Sequence, residues 1–196
     1  MKFPLPLQLP EGHTPIITQH FGVSTEELEP AGPNGEPHYH YGTDIVLGTD
    51  HDTYGAALRL PFPVGRINQY LQPTQGMQNT PFVQLLYPAQ DGTKYEIVLA
   101  HVSEIEPAKD FVYGDIVAKV GNLGLVYPQP NLKDPYQGAH LHLGLKVNGA
   151  WVDPEQYFDF TKWFTGAAPT QQDQLPATNW LITELLAIIK GITGTN

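Results

Sequence analysis

The apolar residues of this chain come in short runs separated by glycines and prolines. Residues 82–87 and 95–102 are two such runs, joined by Ala89-Gln90-Asp91-Gly92-Thr93. Asp-Gly between runs of that length is a strong hairpin signal. Residues 56–67, broken by Pro61, Pro63 and Gly65, read as short strands or strand edges. Residues 112–121 continue the pattern of short strands punctuated by glycine. With 19 glycines and 19 prolines spread in this way, the expectation is a β-rich fold with many turns, not a helical bundle.

A length of 196 residues suits one domain of ordinary size with room for a core. An apolar content of 41% and a charged content of 15% fit a globular chain. The net charge of -10 argues against nucleic acid, whose phosphates need a basic surface. It also argues against adsorption to an anionic envelope by charge alone. Without cysteine there is neither a disulfide framework nor a thiolate site, so any metal must be held by His, Asp or Glu. The start, Met1-Lys2-Phe3-Pro4-Leu5-Pro6, has no signal-peptide h-region. No run reaches the ~17 apolar residues needed to cross a bilayer.

Residues 1–165 read as one body, 166–178 as a polar linker and 179–196 as an amphipathic helix with a tail. In that helix Leu181, Ile182, Leu185, Leu186, Ile188 and Ile189 form one stripe, and Gly191 is a stop. So short a helix does not hold alone in water, so it docks on the body, self-associates or meets a partner. Within the body, 16–22 is an entering strand, 23–37 a loop, and 37–47 passes from loop into strand. Residues 125–138, with Pro128, Pro130 and Pro135, form a long loop that delivers the chain into Gly138-Ala139-His140-Leu141-His142-Leu143-Gly144-Leu145. Loops of that length often serve function.

His140 and His142 are two apart in an apolar run. Side chains at i and i+2 of a strand look into the same space. Imidazole is a common metal ligand and a ready base near neutral pH. His40-Tyr41-Gly42-Thr43-Asp44 adds a carboxylate four residues after an imidazole. A straight strand holds that pair about 13 Å apart, so one ion can take both only if the backbone bends, and Gly42 is placed to allow it by adopting positive φ. His101 stands at the end of a strand, in Ala100-His101-Val102-Ser103. His38 and His51 read as exposed, and His20 falls near the cleft.

In this order, His-x-Gly-x-Asp, then a lone His before apolar-Ser, then His-x-His, the chain resembles the lysostaphin-type (M23, LytM-like) zinc peptidases. The flanks agree: Ile17-Thr18-Gln19-His20-Phe21-Gly22, Pro63-Val64-Gly65-Arg66-Ile67, Tyr113-Gly114-Asp115-Ile116-Val117 and Val120-Gly121-Asn122-Leu123-Gly124. The resemblance spans about residues 15–158.

It implies a mainly β fold, an antiparallel sheet carrying a substrate groove. It implies one Zn2+ held by His40, Asp44 and His142, with His101 and His140 beside the metal as catalytic groups. Of these two, His140 is read as the base and His101 as stabiliser of the tetrahedral intermediate, an order the sequence leaves open. There is no His-Glu-x-x-His helix, so a zincin-type glutamate base is not on offer. The loop at 125–138 is longer than in short members and should border the groove. Tyr39, Tyr41, Tyr127 and Tyr136 are candidates for substrate binding.

The implied activity is hydrolysis of peptide bonds in bacterial peptidoglycan, acting at the cell wall, outside the cell or in the periplasm. A leader already removed, or release by a phage, is compatible with the sequence. Which bond is cut, a glycine bridge or a D-amino-acid cross-link, stays open. The alternative is a non-catalytic LytM-like module that binds wall or activates another hydrolase. A virion part carrying this domain is a third reading.

Overall fold

The computed structural model describes residues 2–62, 66–70, 80–89, 91–107 and 111–165. The linker and the C-terminal helix expected beyond residue 165 lie outside the described residues. The fold is mainly β, as expected. Its main sheet runs, in space, Ile16–Gln19, Thr43–Val46, Leu141–Val147, Lys94–Ala100, Phe82–Pro88, Arg66–Tyr70, with every pair antiparallel. Ala150–Trp151 pairs with the far end of Leu141–Val147.

The hairpin signalled by Asp-Gly is present. Phe82–Pro88 pairs with Lys94–Ala100 along its whole length, from Pro88 opposite Lys94 to Phe82 opposite Ala100. Gly92 turns at a φ of 85°, and the Ala89 N–H donates to the Thr93 carbonyl at 2.8 Å.

Period-two alternation divides the sheet into two faces. Leu85, Ile97, Leu99, Leu141, Leu143 and Leu145 are buried in the core. The residues between them, among them Val98, Ala100, His142 and Lys146, turn to the opposite face, where Phe82, Val98, Ala100 and Trp151 form a smaller apolar cluster. A second antiparallel sheet, Val102–Ile105, Ile116–Val120 and Ala57–Arg59, adds Leu58, Val102, Val117 and Val120 to the main core. Only His101 separates the two sheets along the chain. Its φ of 61° turns the strand from one sheet into the other, a left-handed conformation that costs a non-glycine residue roughly 1–2 kcal/mol.

Residues 2–9, in which Pro4 and Pro6 interrupt the chain, contribute to the core. Phe3, Leu5, Leu7 and Leu9 alternate with other residues, and the three leucines are at most 2% exposed. Phe3–Pro4 pairs in parallel with Phe158–Asp159, and Gln8–Leu9 with Phe164–Thr165, so the two ends of the body close on each other. Burying three leucines is worth about 1.5–3 kcal/mol each, enough to hold this segment against its own entropy. A short helix, Asp50–Thr53, carries a capping box between Thr49 and Asp52. Among the described residues no helix is long and apolar enough to cross a membrane.

Candidate metal centre

His40 Nε2 and Asp44 Oδ1 are 3.1 Å apart. The chain achieves this by changing partners between them. Tyr39–His40 pairs with Gly22–Val23, whereas Thr43–Val46 lies between Ile16–Gln19 and Leu141–Val147. Tyr41 and Gly42 form the corner. Gly42 is not among the glycines with positive φ, so the bend expected from its conformational freedom has another cause. What the position requires is space. A Cβ there would lie 2.5 Å from Cε1 and 2.6 Å from Nε2 of His142. The imidazole of His142 packs where a side chain at residue 42 would otherwise be.

His142 sits directly opposite Asp44 in the sheet register. Its Nδ1 is 3.0 Å from Asp44 Oδ1 and 3.0 Å from His40 Nε2. Three donor atoms therefore converge on one point, each about 3 Å from the other two. Ligands of a tetrahedral zinc, with bonds of ~2.0–2.1 Å, lie about 3.3 Å from one another. Two imidazole nitrogens and a carboxylate oxygen at this spacing fit that ion. The His40 ring is already committed on its far side, where Nδ1–H donates to the His20 carbonyl at 3.0 Å. A neutral ring in that tautomer turns the Nε2 lone pair toward the centre.

His101 and His140 stand beside this group. Their rings are 4.4 Å apart, and His101 is 6.1 Å from the ring of His142. Each has one nitrogen tied to the backbone: His101 Nδ1–H donates to the Leu123 carbonyl and His140 Nδ1–H to the Gly138 carbonyl, both at 2.9 Å. A carbonyl only accepts, so both neutral rings carry an Nε2 lone pair. His140 Nε2 is 3.6 Å from Asp44 Oδ2. The left-handed backbone at His101 thus serves two ends: it changes sheet and presents the imidazole to the site.

The electrostatics follow from burial and neighbours. Burial works to raise the Asp44 carboxyl, but the charge of His140 and hydrogen bonds from His142 and His40 prevail and hold it well below the usual carboxylate range. For His40, burial opposes the charged ring, yet Asp44, the His20 carbonyl and Glu29 together raise it above the ordinary imidazole value. His101 goes the other way. Burial, with His140 and His142 adding to it, depresses its pKa to about 3.

The centre lies in a groove of about 990 Å³. Tyr41 and Tyr127 line it; Tyr39 and Tyr136 do not. Tyr39 packs against Tyr41 and Phe21, with ring centroids 4.8 and 5.3 Å away. Tyr136 packs against Tyr54 and His51 on the other side of the 125–138 loop. Away from the metal group the floor is made by Val98, Lys146 and Trp151. Lys146 pairs with Glu96 at 2.7 Å and lies 4.6 Å over the Trp151 ring. His20 meets Glu155 at 2.6 Å and does not line the groove.

Two residues near the centre were given no role from sequence, although Asn122 lies in one of the flanks that carry the resemblance. Glu29, in the loop at 23–37, puts Oε1 4.0 Å from His40 Nε2. Asn122 is buried and donates from Nδ2 to the carbonyls of Pro135 and Gln137 at 2.9 and 3.0 Å. Neither lies in a periodic pattern; each is recognisable only through the distant residues it meets.

No family model matches this sequence, and no curated protein matches it. Among solved structures the chain is similar to lysostaphin-type peptidases. A zinc-containing peptidase from Vibrio cholerae aligns at 17% identity and a TM-score of 0.49, over 79% of this chain and 39% of that one. This chain therefore spans well under half of that protein. The catalytic domain of the antimicrobial peptidase lysostaphin from Staphylococcus simulans aligns at 19% identity and 0.47, covering 72% of this chain and 90% of that one. The catalytic domain of the prophage-encoded M23 protein EnpA from Enterococcus faecalis, in a mutant form, aligns at 18% identity and 0.48, covering 79% and 97%.

Proposed function

We propose that this chain is a zinc metalloendopeptidase that hydrolyses peptide bonds of bacterial peptidoglycan. The observation that carries the proposal is the convergence of His40 Nε2, Asp44 Oδ1 and His142 Nδ1 at mutual distances of 3.0–3.1 Å, beside two further imidazoles in an open groove. Peptidoglycan as substrate, and the cell wall as the place of action, rest on the resemblance of the three motifs.

A zinc ion held by those three residues supplies Lewis acidity, acidifying water and polarising a peptide carbonyl. The remaining chemistry belongs to the chain. His140 is assigned as general base. Its Nε2 lone pair faces the centre, its ring is oriented by the Gly138 carbonyl, and Asp44 Oδ2 stands 3.6 Å away to face the charge the ring gains. His101 shares the same space but is held neutral by burial. In its observed tautomer it accepts a hydrogen bond at Nε2, which orients an attacking water. Once His140 holds the proton taken from water, its own Nε2–H faces the centre and donates toward the tetrahedral intermediate, with the neutral His101 ring 4.4 Å beside it. The groove floor continues past the centre along Val98, Lys146 and Trp151, which suits an extended peptide cut within its length.

The test is to digest two purified walls, one glycine-bridged and one directly cross-linked, with zinc-loaded and chelated protein. New amino termini should appear from at least one wall, vanish with chelation and return with zinc. Full activity of a zinc-free preparation, or no new termini from either wall, would refute the proposal.

A further inference from the structure

We propose that Trp151, seated against Gly144, is a specificity-determining residue of the groove. Its ring favours peptides that carry an alkyl side chain near the cut bond, as in a D-amino-acid cross-link, over a glycine bridge. The assignment rests on the peptidase reading above.

The ring lies close to the metal group. Gly144 follows His142 by two residues in one strand, so the two positions share a face about 7 Å apart. A Cβ on Gly144 would stand 2.9 Å from Cζ3 of Trp151, 3.2 Å from the Tyr41 carbonyl oxygen and 3.4 Å from Cβ of Val98. Gly144 is not among the glycines with positive φ. What it supplies is space, which lets the indole reach the strand beside the metal ligand. An extended peptide advances about 3.3–3.6 Å per residue. A chain cut at the centre therefore brings a residue within about two places of the cut bond onto the ring.

The ring is held from several sides. Lys146 sits opposite Trp151 in the register, and its ammonium lies 4.6 Å from the ring centroid. That ammonium is itself fixed by Glu96 at 2.7 Å. The Tyr41 ring stands 5.6 Å away, its hydroxyl donating to the Ala31 carbonyl at 3.1 Å. Trp151 also packs against Phe82, Val98 and Ala100, yet it stays half-buried and lines the groove. A surface already set in place loses little freedom when a ligand arrives.

The floor around it reads side chains. Lys94–Ala100 is paired on both edges. Leu141–Val147 has Lys94–Ala100 on one edge, with Thr43–Val46 and then Ala150–Trp151 on the other. The main-chain groups of these strands are committed to ladders, so a substrate on the floor meets Val98, Ala100 and Trp151. A glycine bridge has no side chain to lay on them. An alanine methyl, or the alkyl chain of a diamino acid, buries apolar surface there.

The experiment uses the zinc-loaded full chain and two muropeptide dimers, one directly cross-linked and one glycine-bridged, and reads kcat/KM for each. Wild type should favour the direct cross-link by about tenfold or more, the scale on which one methylene discriminates in an apolar pocket. Trp151→Ala should bring the ratio close to one with zinc affinity unchanged, and Trp151→Phe should keep most of it. Because misfolding lowers both rates together, the ratio isolates the seat. A wild-type ratio near one or inverted, or the same ratio in wild type and Trp151→Ala, overturns the proposal. Calorimetry of the same dimers on zinc-loaded His140→Ala, with and without Trp151→Ala, separates the two possible failures. A Trp151-dependent binding preference with no cleavage by wild type keeps the seat and refutes the peptidase reading. Cleavage without preference does the reverse.

Discussion

His142 and Asp44 face each other as a register pair across two antiparallel strands, with Nδ1 and Oδ1 3.0 Å apart. Two of the three proposed ligands are thus fixed by the sheet itself, and only His40 comes from a separate strand pair. Both side chains point to the groove, whereas Leu141 and Leu143 on either side of His142 point to the core. The site and the core can therefore be altered independently.

His142→Ala should accordingly abolish wall cleavage and leave the fold intact. Zinc binding should fall with it, because two ligands remain of three. The check is thermal unfolding with and without zinc. Wild type gains stability from a ligand bound only to the folded state, about 2.7 kcal/mol at a hundredfold excess over Kd. The variant should unfold at the same temperature with or without zinc, close to that of the metal-free wild type. An unchanged zinc-dependent shift would exclude His142 as a ligand.

Gly42→Ala tests whether the space beneath His142 matters as much as the residues that bind. The added methyl would meet the His142 ring at 2.5 Å and the Leu143 carbonyl oxygen at 2.9 Å, so the imidazole must move. Overpacking of this kind costs roughly 1–3 kcal/mol. Zinc affinity should fall by about tenfold or more, as for lost support of a metal ligand. Chelator competition together with urea unfolding separates the two effects. Unchanged zinc affinity would show that the ring tolerates displacement.

The parts legible in sequence were those encoded by local pattern. Asp91-Gly92 announced the hairpin, and the period of two put His140 and His142 on one face. The illegible parts depend on contacts between distant residues. Gly42 is required by His142, a hundred residues on, and not by its own backbone. Leu5, Leu7 and Leu9 become core because their segment is closed against Phe158–Asp159 and Phe164–Thr165 at the other end of the body. Glu29 comes within 4.0 Å of His40 through a segment that Gln19 and His38 hold. The tyrosines show the same limit. Their nearness in sequence to the motifs did not separate Tyr41, which lines the groove, from Tyr39, which packs behind it.

The His101 ring makes a pH prediction for the metal-free protein. In the folded state it stays neutral down to about pH 3, against an ordinary value of 6.5. Between those values the unfolded chain binds the proton and the folded one does not. Stability is therefore complete above pH 6.5 and falls as the medium is acidified toward 3, by about 1.4 kcal/mol per pH unit where the difference is full. His101→Gln removes the term. With chelator present, urea midpoints at pH 7.5, 6 and 5 should fall more steeply for wild type than for the variant. Parallel curves would mean that His101 titrates normally in the fold.

Asn122→Ala addresses the loop at 125–138. The buried amide bonds the carbonyls of Pro135 and Gln137, and a second tether, from the Gly138 N–H to Asp50 Oδ2 at 2.9 Å, holds the end of the loop beside them. Truncation strands two carbonyls that the amide satisfied, each worth about 1–3 kcal/mol if left unmet. The loop answers by loosening toward solvent. Tyr127, on its groove side and 83% exposed, then moves with the loop backbone, while His40, Asp44 and His142 keep their places because the strands set them. Expected are faster hydrogen exchange across 125–138, a KM for wall fragments raised several-fold, and zinc affinity equal to wild type. A fall in zinc affinity would place Asn122 in the support of the metal and not of the loop. Unchanged exchange and kinetics would mean that the Asp50 tether holds the segment alone.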